Sequence, residues 1–238
     1  MNEVKHSEEK QTEKVYSRRD MLKTAGMAAA GVAVVTVIPS FITGCAKKTP
    51  ELPTKEVLNY EYLAASEDAP QYPFPYQKLD PATTMERAYA SFFNKGGCCR
   101  AVIDGVIGQL GDHAGYPWNQ IPVDAYANGA GGYGAATLCG SLAGAATAIG
   151  LAVPPEDAGT VTAELFAWYT STELPTYQPE VENETVVSES VNCMDSVGQF
   201  MEVSGYAMGD PERKARCAGV AADCAGKTAE LLNAYYKL

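Results

Sequence analysis

The sequence predicts an all-α fold, a compact multi-helix domain over residues 81–238 arranged around a central helix rich in glycine and alanine. Apolar side chains recur at intervals of three and four residues in several separate segments, which is the spacing of one helix face. Gly129–Gly150 contains fourteen Gly or Ala among its 22 residues, so that neighbouring helices can approach its backbone closely. Asp210 and Pro211 form a helix-start signal ahead of a long final segment.

The length of the chain suits one medium-sized domain with additional segments, and its charge limits the kinds of partner it can bind. The chain has 238 residues, of which 46% are hydrophobic, and a formal net charge of −11. Residues 45–238 hold 12 basic and 24 acidic side chains, which argues against binding to nucleic acid or to anionic lipid surfaces. We interpret this acidity first as a source of solubility, with a basic protein partner as the alternative.

Residues 1–44 have the character of an export signal. Arg18 and Arg19 precede the uncharged apolar run Thr24–Phe41, a pattern that resembles a twin-arginine signal. The following Ile-Thr-Gly-Cys resembles a lipobox, in which Cys45 becomes the lipidated first residue of the mature protein. An uncleaved anchor helix is the alternative, because about 18 apolar residues can just span a bilayer. The sequence thus predicts twin-arginine export to the periplasm or the outer face of the cytoplasmic membrane, with a lipid anchor in that membrane.

Residues 45–80 are predicted to form a proline-rich linker. Six prolines between Pro50 and Pro81 prevent long helices, so this segment would act as a tether off the membrane surface. Its last part, Tyr72–Tyr76, alternates aromatic residues with proline and is expected to pack on the domain as an extended arm.

The first two helices are predicted on either side of the pair Gly96 and Gly97. Thr84–Lys95 places its apolar residues on one face, and the glycines stop it. The second helix, about Cys98–Leu110, begins with two adjacent cysteines. Thiols in a first helical turn meet unpaired N–H groups and the positive end of the helix dipole, both of which favour the thiolate. This indicates a metal ligand or a reactive thiol, although Cys can also serve as a small buried hydrophobic residue.

The central helix is predicted to begin at Gly134 and to carry Cys139 on one face. Gly140 and Gly144 lie beside that cysteine, four residues apart, a spacing that lets a second helix approach closely.

The other elements follow from proline positions and helical periodicity. In chain order they are a loop over Gly111–Gln120, a short helix over Ile121–Asn128, a helix over Asp157–Thr172, an acidic loop over Pro175–Glu189, a helix over Glu189–Val203 and a last helix from Asp210 toward Tyr236. Cys193 lies near the start of the fifth of these elements. Cys217 and Cys224 lie on the last helix, about 10 Å apart along its axis, which is too far for a disulfide.

Six cysteines beyond the signal are the main candidates for chemistry. The chain beyond residue 45 has no Cys-x-x-Cys and no Cys-x-x-Cys-His, which removes the usual signals of zinc ribbons, thioredoxin-like sites and covalent c-type haem. His113 is the only histidine after the signal and is expected to be a surface residue. Four thiolates from four helices suffice for an iron–sulfur cluster or for tetrahedral zinc, and six suffice for three disulfides. Spacing alone leaves these alternatives open.

Several motifs in fixed order resemble one known family. They are Gly-Gly-Cys-Cys at 96–99, GAGGYGAATLCGSLAGAATAIGL from Gly129, Asn192-Cys193, and RKARCAGVAADCAGKTAELLN from Arg213. This order resembles the C-GCAxxG-C-C redox-active family, in particular the branch of split-Soret cytochromes c and their exported relatives, over about residues 72–238. The resemblance implies an all-helical domain, dimerisation and an iron–sulfur cluster. It implies as ligands Cys99 (or its neighbour Cys98), Cys139, Cys193 and Cys217, with Cys98 and Cys224 as extra thiols.

The chain departs from that family at three places. It lacks a haem-attachment motif, so the resemblance to split-Soret cytochromes c does not imply a covalent haem in this chain. Ser141 stands where the motif more often has alanine, and Met194 follows Cys193 where relatives can carry histidine.

The sequence therefore predicts an exported iron–sulfur protein that transfers electrons to a partner protein the sequence does not identify, as an electron carrier rather than a catalyst with its own substrate. One alternative is a disulfide-stabilised envelope protein with a binding or structural role. Another is a thiol oxidoreductase that uses Cys98 or Cys99 as nucleophile. Non-covalent haem ranks last, for want of histidines.

Overall fold

The computed structural model of the chain describes residues 70–238. The export signal predicted over residues 1–44, including Arg18 and Arg19, lies outside those residues. The lipidation site predicted at Cys45 and most of the proline-rich linker lie outside them as well.

Seven α-helices make up the described part of the chain, which has two isolated β-bridges and no longer strand pairing. This confirms the all-α prediction. The helices are α1 (Pro81–Ser91), α2 (Cys98–Ile103), α3 (Gln109–Ala114), α4 (Gly140–Ala152), α5 (Pro155–Ser171), α6 (Cys193–Ser204) and α7 (Pro211–Tyr236). A π-helical turn, Asp104–Gly108, joins α2 to α3. None of the helices among residues 70–238 combines the length and the apolar character needed to cross a bilayer.

The glycine- and alanine-rich helix α4 lies in the core, as the sequence predicts, and shares the centre of the domain with α7. It packs against α2, α5 and α7, while α7 packs against α1, α2, α4, α5 and α6. Nine of the 13 residues of α4 are buried. A Cβ added to Gly144 would lie 2.8 Å from the Cys99 carbonyl oxygen and 3.0 Å from Val102 Cβ. The glycine therefore lets the backbones of α2 and α4 approach closely.

The first helix starts three residues earlier than predicted because it is capped from outside. The Asp80 side chain accepts a hydrogen bond from the Thr83 N–H, and Pro81 occupies the first helical position. The helical segment ends at Gly96 and Gly97, which have φ of +82° and +91°. The stop predicted at these glycines is confirmed.

Two other helix starts differ from the predictions. The central helix begins at Gly140 rather than Gly134, because five residues between Gly131 and Ala136 have positive φ and cannot continue a right-handed helix. The helix predicted from Glu189 begins at Cys193, and Glu189 itself has φ of 51°.

The segment predicted as a loop from Gly111 is helical to Ala114, where α3 ends before Gly115 at φ +70°. The short helix predicted next is a 3₁₀-helix over Val123–Gly129.

The extended arm predicted at Tyr72–Tyr76 packs on the domain. The Phe74 N–H donates to the Leu151 carbonyl at 2.8 Å, and Trp118 Nε1 donates to the Pro75 carbonyl at 2.8 Å. The Phe74 and Trp118 rings meet edge to face with centroids 5.1 Å apart. The arm thus covers the C-terminal end of α4.

Candidate metal centre

Three of the candidate cysteines lie where helices begin. Cys98 is the first residue of α2, Cys139 is the N-cap of α4 and Cys193 is the first residue of α6. The free N–H groups and helix dipole at such positions stabilise negative charge. Cys217, on the second turn of α7, completes a set drawn from four separate elements.

A short antiparallel pairing brings Cys139 next to Cys193. The Cys139 N–H donates to the Val191 carbonyl at 2.8 Å, and the Cys193 N–H donates to the Thr137 carbonyl at 2.6 Å. This pairing requires Cys139 to be extended, with φ −54° and ψ 129°, so the prediction that it lies inside a helix is wrong. The positive φ values between Gly131 and Ala136 prevent a helix there and so allow Cys139 to form this pairing.

Of the two adjacent cysteines, Cys98 is the one that faces the other thiols. A Cβ on Gly140 would lie 2.5 Å from Cys98 Sγ, so this thiol packs against the first residue of α4. Its charge interacts with those of Cys139 and Cys217, and Cys193 in turn interacts with Cys98. The backbone N–H of Gly131 also hydrogen-bonds to the Cys98 sulfur.

Cys99 points to the other side of the same turn. It is 2% exposed, and a Cβ on Gly129 would lie 2.6 Å from its sulfur. Burial, and then the neighbouring Cys139, raise its pKa to about 11, and its own charge contributes to the raised pKa of Tyr126. The four thiols that the structure brings together are therefore Cys98, Cys139, Cys193 and Cys217, with Cys99 at the edge of the group.

The remaining candidates lie farther from the centre of this group. Cys224 is fully buried on α7, two turns beyond Cys217, within electrostatic range of Cys139 and Cys98. Burial raises its pKa well above the ordinary thiol value. His113 is exposed in the last turn of α3, as predicted. All six cysteines of residues 70–238 are free thiols in the structure.

Two thiols of the group, Cys98 and Cys193, hold their protons in the absence of a compensating positive charge. Burial, and then the neighbouring Cys139, raise the pKa of Cys98 to about 12. The same two causes raise the pKa of Cys193. Thiolates so close together repel each other, so the group can ionise fully only around a cation or metal.

Cys217 differs because two arginines flank it. Burial alone would raise its pKa, but the positive charges and hydrogen bonds of Arg213 and Arg216 lower it overall. Arg213 Nη1 lies 3.7 Å from the Cys217 sulfur, while its Nε donates to the Met208 carbonyl at 2.8 Å.

Arg216 is a buried cation with an incomplete set of partners. It is 2% exposed, and its Nη2 donates to Ser196 Oγ at 2.9 Å. Its guanidinium lies 5.4 Å from the centre of the Phe200 ring. Its Nε has no hydrogen-bond partner, and no carboxylate of residues 70–238 forms an ion pair with it. Such a charge is costly unless an anion balances it, and the neighbouring thiol of Cys217 can supply that anion.

The donor chemistry suits a metal group that prefers soft ligands. Thiolates favour zinc, copper(I) and iron–sulfur clusters. No three His, Cys, Asp or Glu side chains of the described chain stand close enough to hold one metal ion. A single tetrahedral ion with metal–sulfur bonds of about 2.3 Å needs tightly gathered ligands. A polynuclear cluster takes more widely spaced ones, because the metal ions separate them. The four thiols, together with the unpartnered Arg216 Nε, suit a metal group bound by thiolates.

The sequence analysis missed the residues around the thiols, namely Arg213, Arg216, Ser196 and Tyr169. One signal was present, since Arg213 precedes Cys217 by four residues and such pairs meet on a helix surface. Ser196 and Tyr169 come from other helices and give no local signal.

The chain matches a protein-family model, a curated protein and a solved structure. The model, described as "Putative redox-active protein (C_GCAxxG_C_C)", matches residues 97–231. The split-Soret cytochrome c of Desulfovibrio desulfuricans (strain ATCC 27774 / DSM 6949 / MB) is 32% identical over 167 residues, which cover 66% of this chain and 59% of that protein. The chain thus spans about three-fifths of the length of this curated relative.

A solved structure is also similar. Described as "A novel iron centre in the split-Soret cytochrome c from Desulfovibrio desulfuricans ATCC 27774", it superposes with a TM-score of 0.67 at 30% identity. The superposition covers 69% of this chain and 72% of that one.

Proposed function

The chain belongs to the C_GCAxxG_C_C family of redox-active, split-Soret cytochrome-like proteins, and we propose that it is an electron carrier that binds an iron–sulfur cluster. The ligands in this proposal are Cys98, Cys139, Cys193 and Cys217. The iron centre named for the solved relative supports iron as the metal. The sequence has no Cys-x-x-Cys-His, so the proposal does not include covalent haem.

One observation carries this proposal: four thiols from four elements lie within electrostatic range of one another, and two arginines flank one of them. Three of them lie at helix N-termini, where backbone N–H groups stabilise anionic sulfur. Arg213 and Arg216 add positive charge at the fourth. This is the charge balance that a thiolate-bound, negatively charged metal group requires.

The bound cluster would supply reversible one-electron chemistry, taking one electron from a donor protein and giving one to an acceptor. The residues of this chain would hold it, exclude water and balance its charge. Cys139 is buried, whereas Cys98, Cys193 and Cys217 are half-buried, so that the site lies near enough to the surface for electron exchange with a partner.

Anaerobic purification with iron and acid-labile sulfide analysis tests the proposal. We expect iron and sulfide in comparable amounts and a broad visible absorption that bleaches on reduction. Cys139→Ser removes the thiol that interacts with most of the others and should abolish both. Wild-type protein that holds no iron, with its cysteines recovered as disulfides, would sink the proposal and favour the disulfide-stabilised alternative.

We also propose that residues 1–44 direct export by the twin-arginine route and that Cys45 carries the lipid anchor, on the strength of the sequence patterns described above. Replacing Arg18 and Arg19 by lysine keeps the charge and should leave the protein in the cytoplasm. Cys45→Ser should instead yield exported protein that no longer fractionates with membranes. Unchanged export of the twin-lysine variant would contradict the route.

A further inference from the structure

The two most buried arginines of the described chain differ in how their charge is balanced. Arg87 is paired with Asp104 at 3.1 Å, and Asp112 also accepts from it. Arg216 is more deeply buried, yet it forms no ion pair with a carboxylate among residues 70–238. The buried carboxylate of Asp223 lies within electrostatic range of Arg216, and the Cys217 sulfur forms a hydrogen bond with its guanidinium.

Ser196 holds Arg216 in place and connects it to a second sulfur ligand. The Ser196 Oγ accepts hydrogen bonds from Arg216 Nη2 at 2.9 Å and from the Tyr169 hydroxyl at 3.0 Å. Tyr169, which is fully buried on α5, also hydrogen-bonds with the Cys139 thiol. The Ser196 hydroxyl therefore links Tyr169, the partner of Cys139, to Arg216, the partner of Cys217.

We propose that Arg216, fixed by Ser196 and Tyr169, is a positioning residue that raises the reduction potential of the centre through Cys217. The inference rests on the proposed function. Reduction adds a negative charge to the centre, and a buried cation beside a ligand sulfur stabilises that state more than the oxidised one. The interaction is strong because the interior screens charge weakly. Arg213 is half-buried and so is better screened than Arg216.

The test is a redox titration of the iron-loaded, full-length protein. Arg216→Met removes the charge and keeps much of the volume. We expect it to lower the reduction potential while iron per chain stays at the wild-type level. Arg216→Lys retains a positive charge and should lower the potential by less. Lys227→Met is the matched control, since it removes one positive charge from the same helix about 16 Å farther along and should leave the potential unchanged.

A second variant keeps the inference testable if Arg216→Met fails to fold or to hold iron. Ser196→Ala leaves the arginine present but unanchored, and we expect a smaller fall of the potential in the same direction. An unchanged potential in that variant, or in an iron-loaded Arg216→Met protein, would overturn this inference and leave the proposed function intact. Wild-type protein without iron would overturn both.

Discussion

At the scale of single residues, the choice between Cys98 and Cys99 decides how the centre is built. The first thiol faces the sulfurs of Cys139, Cys193 and Cys217, and the second faces Gly129 and Tyr126 in the core. We expect Cys98→Ser to lose most of its iron, because serine replaces a soft thiolate by a hard hydroxyl. Cys99→Ser is the matched control and should keep wild-type iron per chain. Loss of iron in Cys99→Ser but not in Cys98→Ser would instead make Cys99 the ligand.

The thiols of the metal-free protein should differ in reactivity with pH. Since the arginines lower the pKa of Cys217 and burial raises those of Cys98 and Cys193, Cys217 holds a larger thiolate fraction than those two thiols at neutral pH. Iodoacetamide at pH 7 should therefore label Cys217 before Cys98 and Cys193, with the sites read by peptide mass mapping. Arg213→Met removes one of those charges and should move the labelling curve of Cys217 to higher pH. Equal labelling of Cys193 and Cys217 at pH 7 in the wild type would contradict this.

The thiols themselves could be found from the sequence, but their electrostatic surroundings could not. Cysteines are recognised directly in a sequence as candidate metal ligands. The order of the family motifs indicates which of them belong to one site. An arginine such as Arg216, on a helix with many charged residues, reads as a surface side chain until the fold shows it buried under Phe200. Ser196 and Tyr169 acquire their meaning only when α5, α6 and α7 come together.

At the scale of helices, the contact between α2 and α4 depends on one missing side chain. A Cβ at Gly144 would lie 2.8 Å from the Cys99 carbonyl oxygen, which is backbone and cannot move cheaply. We expect Gly144→Ala to lower the free energy of unfolding by up to about 2 kcal/mol, because overpacking costs about 1–3 kcal/mol and alanine returns only about 1 kcal/mol of helix propensity. Urea denaturation of the metal-free protein measures this.

The same helix provides the matched control. A Cβ at Gly150 would meet nothing within 4 Å, so only the helix propensity changes. Gly150→Ala should raise the free energy of unfolding by about 0.5–1 kcal/mol. If both variants shifted stability in the same direction and by the same amount, close approach at Gly144 would not explain its glycine.

Helix existence was predictable from periodicity, whereas the start of the central helix was not. Gly134, Ala135 and Ala136 suit a helix as well as a loop by composition, and nothing local separates them from the residues that follow. The deciding contact is the pairing of Leu138 with Asn192, which lies more than 50 residues away in the chain. Tertiary pairing thus overrides local preference here, and it is also what delivers Cys139 to Cys193.

At the scale of the whole molecule, the thiol group and the N-terminal arm lie at opposite ends of the long helices. Cys217 and Asn233 are separated along α7 by about 24 Å. Cys139 is the N-cap of α4, and the arm meets the far end of that helix at Gly150 and Leu151. The segment that leads toward residues 1–69 therefore joins the domain away from the sulfur ligands.

Asn233 is the residue that fastens this arm. Its Oδ1 accepts from the Leu79 N–H at 3.2 Å and from the Tyr76 hydroxyl at 2.9 Å, and its Nδ2 donates to the Leu79 carbonyl at 2.7 Å. Asn233→Ala leaves these groups unpaired, at about 1–3 kcal/mol for a buried one. We expect the free energy of unfolding to fall by about 2–4 kcal/mol in total. Limited proteolysis should then cut the arm before the rest of the domain.

The same variant separates stability from metal binding, because the arm is remote from the thiols. Asn233→Ala should keep its iron per chain and its visible absorption at the temperature where it is folded. Cys139→Ser should show the reverse pattern, with iron lost and the arm still protected from protease. Loss of iron in Asn233→Ala while the protein remains folded would mean that the two ends are coupled. The docking of α7 against α4 and α5 would then have to transmit the change, since these helices link the arm to Cys139, Tyr169 and Cys217.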